Sequence, residues 1–193
     1  ADPTQPSSVH AKIIDASQLG SLTGLSTQAN STTILDLGSG QSLSLNGLLD
    51  NSGTIIVAST HQNSSIASFS VQGINNHLGG VITNVLPSAL LNAGRFFSIS
   101  SLTINSVGDV NNAGVISSAG NLNLNVVGQI FNSGSITSQS NLTMSASALT
   151  NSALISAVQN LNLQIANIVN QGQLVSSLGN INIANTISSN LNV

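Results

Sequence analysis

The sequence predicts an all-β chain folded as a right-handed parallel β-helix, a β-solenoid with coils of about 19–20 residues and an N-terminal cap. Three observations carry that prediction. The second half repeats itself at that period, the apolar residues of each repeat fall into columns two residues apart, and the chain is apolar while nearly uncharged.

The composition comes first because it bounds everything else. Charged residues make up 4% of the 193 residues, against roughly 25% in an ordinary domain, while hydrophobic residues make up 40% and aromatics 2%. Solubility therefore rests on Ser, Asn, Thr and Gln. Disorder fails as a reading, because disordered chains lack apolar residues in regular order. Lys12 and Arg95 are the only fixed cations in a chain of net charge -3, so no basic patch exists to neutralise a phosphate backbone and nucleic-acid binding is not expected. The absence of cysteine excludes a disulfide framework and thiolate metal sites. No run of about 18 apolar residues is present, so no membrane span is predicted.

Along the chain, residues 1–8 read as a mature terminus or an expression remnant. Residues 1–40 form an N-terminal segment and cap, in which the stretch from Ile13 to Leu19 makes a short helix or strand covering the first coil. Residues 41–193 carry the β-helix repeats, with insertions at 51–92.

The repeat is plainest from Asn112: NAGVISSAGNLNLNVVGQIF, then NSGSITSQSNLTMSASALT from Asn132, NSALISAVQNLNLQIANIV from Asn151 and NQGQLVSSLGNINIANTISS from Asn170. Its marker asparagines are Asn51, Asn76, Asn92, Asn112, Asn132, Asn151 and Asn170, at intervals of 25, 16, 20, 20, 19 and 19 residues. Alignment on the marker superposes Leu102, Leu122, Leu142, Leu161 and Ile181, and two residues on Ile104, Leu124, Met144, Leu163 and Ile183. Two apolar columns two apart are one face of a strand. A column four residues after the marker holds Ile55, Phe96, Ile116, Ile136, Ile155 and Leu174; one two residues before it holds Leu49, Leu90, Val110, Ile130, Leu149 and Ile168. A unit this short has no room for a crossover helix and fits a coil of about three short strands, stacked about 4.8 Å from the next. Helical solenoids have periods of about 33–34 residues, and leucine-rich repeats need a wider leucine spacing.

The marker asparagines are read as a structural turn ladder, since Asn tolerates turn conformations and stacks into hydrogen-bonded rows. A row of ligand-binding amides is the rival reading. Gly53, Gly94, Gly114, Gly134 and Gly172 after them are read as tight corners, with Ala153 as the departure.

The N-x-G-x-φ…N-φ-N-φ register, from Asn112 to Ile183 and more loosely from Leu43, resembles the repeats of filamentous haemagglutinin-like exoproteins of the two-partner secretion class. The resemblance implies a right-handed β-helical shaft, an extracellular or bacterial cell-surface location, and adhesion to a receptor or glycan on a host or neighbouring cell. The secretion domain of that family carries the motifs NPNL and NPNGI; this chain has no Asn-Pro and so resembles a shaft segment.

The repeat runs to Val193 without a polar cap, so either the natural protein continues or that end meets another subunit. Head-to-tail self-association into a fibre is the expectation that follows.

Chemistry-bearing residues are few: Asp2, Asp15, Asp36, Asp50, Asp109, His10, His61 and His77, with no glutamate. Polysaccharide-cleaving β-helices need several acidic groups and a base converging on one groove, so no enzyme, cofactor or resident metal is expected. Arg95 and Asp109, 14 residues apart, fall on different faces of a coil of this length. His61 and His77 with Asp50 could hold a transition metal, but solvated loop histidines are the preferred reading. The insertion is the expected functional departure from the shaft, with His61, Phe69 and His77 as possible binding residues. Phe69, Phe96 and Phe97 are read first as core or end packing and second as a sugar-stacking platform. An ice-binding solenoid would need a repeated Thr column, which the outward Asn123, Thr143, Asn162 and Asn182 do not supply. Asn30, Asn63 and Asn141 match the glycosylation acceptor pattern, as chance allows in a chain so rich in Asn and Ser.

Overall fold

A computed structural model describes residues 11–62 and 66–184. Asp2, His10, the acceptor pattern at Asn63 and the terminal stretch to Val193 lie outside the described residues. The chain is a parallel β-solenoid: all the pairings between its strands are parallel, and each joins a strand to its counterpart in the next coil. Three faces surround one core.

The first face stacks Ala11–Asp15, Thr32–Asp36, Thr54–Ala58, Val81–Thr83, Val115–Ser118, Ser135–Ser138, Leu154–Ala157 and Gln173–Ser176 as an eight-stranded sheet. The second stacks Ser42–Ser44, Ile66–Val71, Ser101–Ser106 and Leu122–Val126, and the third stacks Gly24–Thr27, Leu48–Asn51, Gly73–Asn76, Val110–Asn112 and Gln129–Asn132. Two ten-residue strands, Leu142–Asn151 and Leu161–Asn170, run through the corner between these faces and serve both. Ile181–Ala184 continues the second face.

Alternation builds the core directly. On the second face Leu102 pairs in register with Leu122, then Leu142, Leu161 and Ile181, and two residues on Ile104, Leu124, Met144, Leu163 and Ile183 align likewise. Ala67 and Phe69 extend these columns by one coil, and Leu43 extends the second by another. Most are fully buried in a single cluster running from Ile14 to Ile168. At roughly 1.5–3 kcal/mol per large side chain removed from water, these columns are the main stabilising term.

Two members of the expected columns are not in them. Ile74, between Leu49 and Val110, stands where Leu90 was placed, and Ile82, between Ile55 and Ile116, stands where Phe96 was placed. The Asn92-Ala93-Gly94 match to the repeat motif is local only. Asn92 closes a one-turn helix, α2 (Ser88–Asn92), and Gly94 follows it in the left-handed region at φ 68. Both belong to an excursion over residues 84–100, and the repeat register resumes at Ser101.

That excursion is a strap laid over the outside of the first face. Leu86 and Phe96 bury themselves against Ile34, Ile56 and Ala58, with Ile13 and Leu90 partly covered. Phe97 exchanges backbone hydrogen bonds with Ser59 at 2.7 and 3.3 Å in an antiparallel bridge. The outward column explains the arrangement: Ile13, Ile34 and Ile56 in the first three coils give way to Thr83, Ser117, Thr137 and Ser156. Only the apolar coils are strapped. Asn84, fully buried, ties the base of the strap, its amide donating to Ile99 O at 2.8 Å and accepting from Ala119 N at 2.8 Å.

At the other end, coil structure already starts at Ala11, whose strand pairs with Thr32–Asp36. The segment expected as a cap is thus largely solenoid. Its capping element is the short helix α1 (Ala16–Gly20), which takes the second-face place in the first coil, buries Leu19 and packs on Ser42–Ser44. Asp15 and Gln18 form a reciprocal capping box at its start, which fixes a helix too short to persist alone.

Candidate functional site

The marker asparagines other than Asn92 form one buried ladder at the end of the third face. Asn51 donates through Nδ2 to Asn76 Oδ1 at 2.7 Å, Asn76 to Asn112 at 2.7 Å, Asn112 to Asn132 at 2.8 Å, Asn132 to Asn151 at 2.8 Å and Asn151 to Asn170 at 2.7 Å. Thr27 begins it, donating to Asn51 Oδ1. The same amides also donate to corner carbonyls, as Asn132 does to Gly134 O and Leu154 O. Every polar atom of a dry corner is thereby satisfied, which is worth about 1 kcal/mol per bond and far more if a partner is lost. The ladder's amides are occupied by one another, so it offers no ligand platform.

The ladder passes from Asn76 straight to Asn112, and exposed Asn92 has no place in it. The corner glycines beside it are not in the left-handed region; close approach requires them. A Cβ on Gly134 would lie 2.1 Å from Gly114 O, inside any real contact. Ala153 stands at the equivalent position one coil on. The adjoining bond there, Leu154 N to Gly134 O, stretches to 3.2 Å, against 2.8 Å for Ser135 N to Gly114 O.

A second ladder went unread. Asn121 Oδ1 accepts from both nitrogens of Asn141 at 3.1 and 3.2 Å, Asn141 Oδ1 from those of Asn160 at the same distances, and Asn160 Oδ1 from Asn180 N at 2.9 Å. These are the first asparagines of each N-φ-N-φ, and their regular spacing was the available signal. The Asn141 amide is committed to this row.

The three residues singled out in the insertion separate. Phe69 is fully buried in the column between Leu43 and Ile104, so it is core and cannot bind from outside. His61 is exposed just beyond the C-terminal end of a first-face strand, its N–H donating to Ser59 Oγ at 2.9 Å. His77 lies at the opposite end of that face, before Val81–Thr83, with Nε2 2.5 Å from Asp50 Oδ1 and both side chains about half exposed. The two histidines therefore do not meet. Among the described residues no three His, Cys, Asp or Glu side chains gather in a way that could hold a metal ion.

The remaining charged groups are structural. Asp36 accepts from Gly38 N and Thr60 N at 2.9 Å each, Asp109 accepts from Gln129 N at 2.8 Å, and Arg95 lies 5.6 Å over the Phe96 ring on the strap. No helix of the described residues is long and apolar enough to cross a membrane.

Two outward surfaces are left. The second face presents two parallel columns of uncharged polar side chains, one from Ser42 and Ser68 through Thr103, Asn123, Thr143 and Asn162 to Asn182. The other runs from Ser44 and Ser70 through Asn105, Asn125 and Ser145 to Gln164, and neighbouring rungs are linked, as Asn125 is to Asn105 at 3.0 Å. On the third face a shallow groove of about 270 Å³ runs beside the marker ladder, lined by Asn75, His77, Asn111, Phe131 and Thr150. No protein family, curated protein or solved structure matches the chain.

Proposed function

We propose that this solenoid is an extracellular structural and adhesive shaft of a bacterial surface or secreted protein, holding a receptor or glycan of a host or neighbouring cell through its faces and performing no catalytic step. The observation that carries the reading is the long, regular, uncharged polar second face over a core locked by two amide ladders. Such a rod keeps its shape without charge pairs, so its surface stays insensitive to salt and open to many weak polar contacts. Resemblance of the repeat register to filamentous haemagglutinin-like exoproteins supports the same reading and its location.

The test is display of the chain on a non-adherent bacterium. Adherence to cultured epithelial cells or to a neighbouring strain should rise above that of the empty display scaffold, and unchanged adherence to both would count against the proposal. Fibre formation by axial stacking is the alternative. Lys12 opposes it, because it stands in the inward column that holds Thr33, Ile55 and Leu174, where a stacked neighbour would bury its ammonium against apolar side chains.

A further inference from the structure

Phe131 is out of place in an outward column. On the third face that column reads Asp50, Asn75, Asn111, Phe131 and Thr150, one residue per coil. The other phenylalanines have structural work: Phe69 fills the core, and Phe96 and Phe97 fasten the strap. Phe131 remains 38% exposed between two small polar neighbours, and no hydrophobic cluster includes it.

Its surroundings are polar and shaped. Asn111 donates to Asn75 at 2.9 Å, which leaves Asn75 Nδ2 and Asn111 Oδ1 without a hydrogen-bond partner in the protein. Next along, the imidazole of His77 is held by Asp50, which orients its other ring nitrogen and leaves the second carboxylate oxygen as an acceptor. From Asp50 to Phe131 the strip covers three rungs, about 14 Å at the sheet spacing.

We infer that this groove is a binding subsite for a neutral saccharide, with Phe131 as the stacking platform and Asn75, Asn111 and the Asp50–His77 pair as the hydrogen-bonding edge. A pyranose ring offers an apolar C–H face and a rim of hydroxyls, which is the complement of an exposed aromatic ring beside planar amide and carboxylate groups. Anionic ligands fit poorly, because the groove holds a carboxylate and no fixed cation. An apolar peptide fits poorly too, since Phe131 is its one large apolar side chain. The inference rests on the adhesive reading and deepens it by naming the ligand class and the face.

The test uses the whole chain against immobilised cellohexaose, chitohexaose and lacto-N-neotetraose, with a heparin hexasaccharide for comparison. At least one neutral glycan should bind, Phe131→Ala and Phe131→Leu should each weaken it roughly tenfold, and Asp50→Asn severalfold. The leucine variant keeps the apolar volume, so loss in both variants reports the aromatic face and not the fold. Retention of heparin alone, retention of no glycan, or equal binding by both Phe131 variants would each overturn the assignment. Cell adherence that survives in the Phe131 variants would remove the groove and leave the adhesive shaft standing, whereas adherence absent from the unaltered chain would remove the shaft.

Discussion

The coils from Ser101 to Ala184 and the coil from His77 to Asn111 use the same short motifs to opposite ends. In the regular coils each N-x-G or N-x-A marks a corner whose asparagine joins the buried ladder. In the strapped coil Asn92-Ala93-Gly94 ends a helix on the surface, and the ladder crosses 36 residues from Asn76 to Asn112. What separates the two is the register of the apolar residues around the motif. Ile74 and Ile82 occupy the columns, so the following matches have no column left to fill and fold outward.

This contrast can be broken by mutation. The largest effect is expected in the regular stack: Leu124→Ala, in the middle of a fully buried column, should cost about 4 kcal/mol in urea unfolding. Phe96→Ala on the strap should cost slightly less, about 3 kcal/mol, and should increase binding of a hydrophobic dye as Ile34 and Ile56 are uncovered. A larger loss for Phe96 than for Leu124 would mean that the strap, not the stack, dominates stability.

Asn132→Ala leaves Asn112 Nδ2 and Asn151 Oδ1 facing a dry gap, for an expected loss of about 2 kcal/mol. Gly134→Ala drives a methyl onto Gly114 O and should cost about 1 kcal/mol, since the rung at Ala153 shows how far the stack can stretch to accept one. Asn92→Ala should change stability by under about 0.5 kcal/mol, the range of an ordinary surface substitution. Equal losses at Asn92 and Asn132 would erase the distinction between the two regions.

The fold was legible because its signal is redundant. From Leu102 onward every coil restates the same columns, and the structure pairs them residue for residue. Phe96 and Leu90 were misplaced because an aligned asparagine was given more weight than the interval of 16 residues before it, too short for a coil. The strap itself left a trace in the sequence. TTILD and TIIVA are apolar on both faces, which in a strand means that both faces are covered, and that run calls for a partner outside the coil. Phe69 was ambiguous for a different reason: one aromatic in a repeat of leucines can face either way until the register of its strand is known. Phe131 and the Asp50–His77 pair could not be found by periodicity, because they share a groove only through coils stacked 25 and more residues apart.

The account turns on whether the asparagines at 51, 76, 112, 132, 151 and 170 form one interior ladder that omits Asn92. Native-state hydrogen exchange of the asparagine side-chain amides, followed by NMR, reads this directly. The Nδ2 protons of Asn112, Asn132 and Asn151 should exchange on the order of a hundredfold more slowly than those of Asn92. Fast exchange at all four, or protection of Asn92 equal to that of its neighbours in the motif, would contradict it.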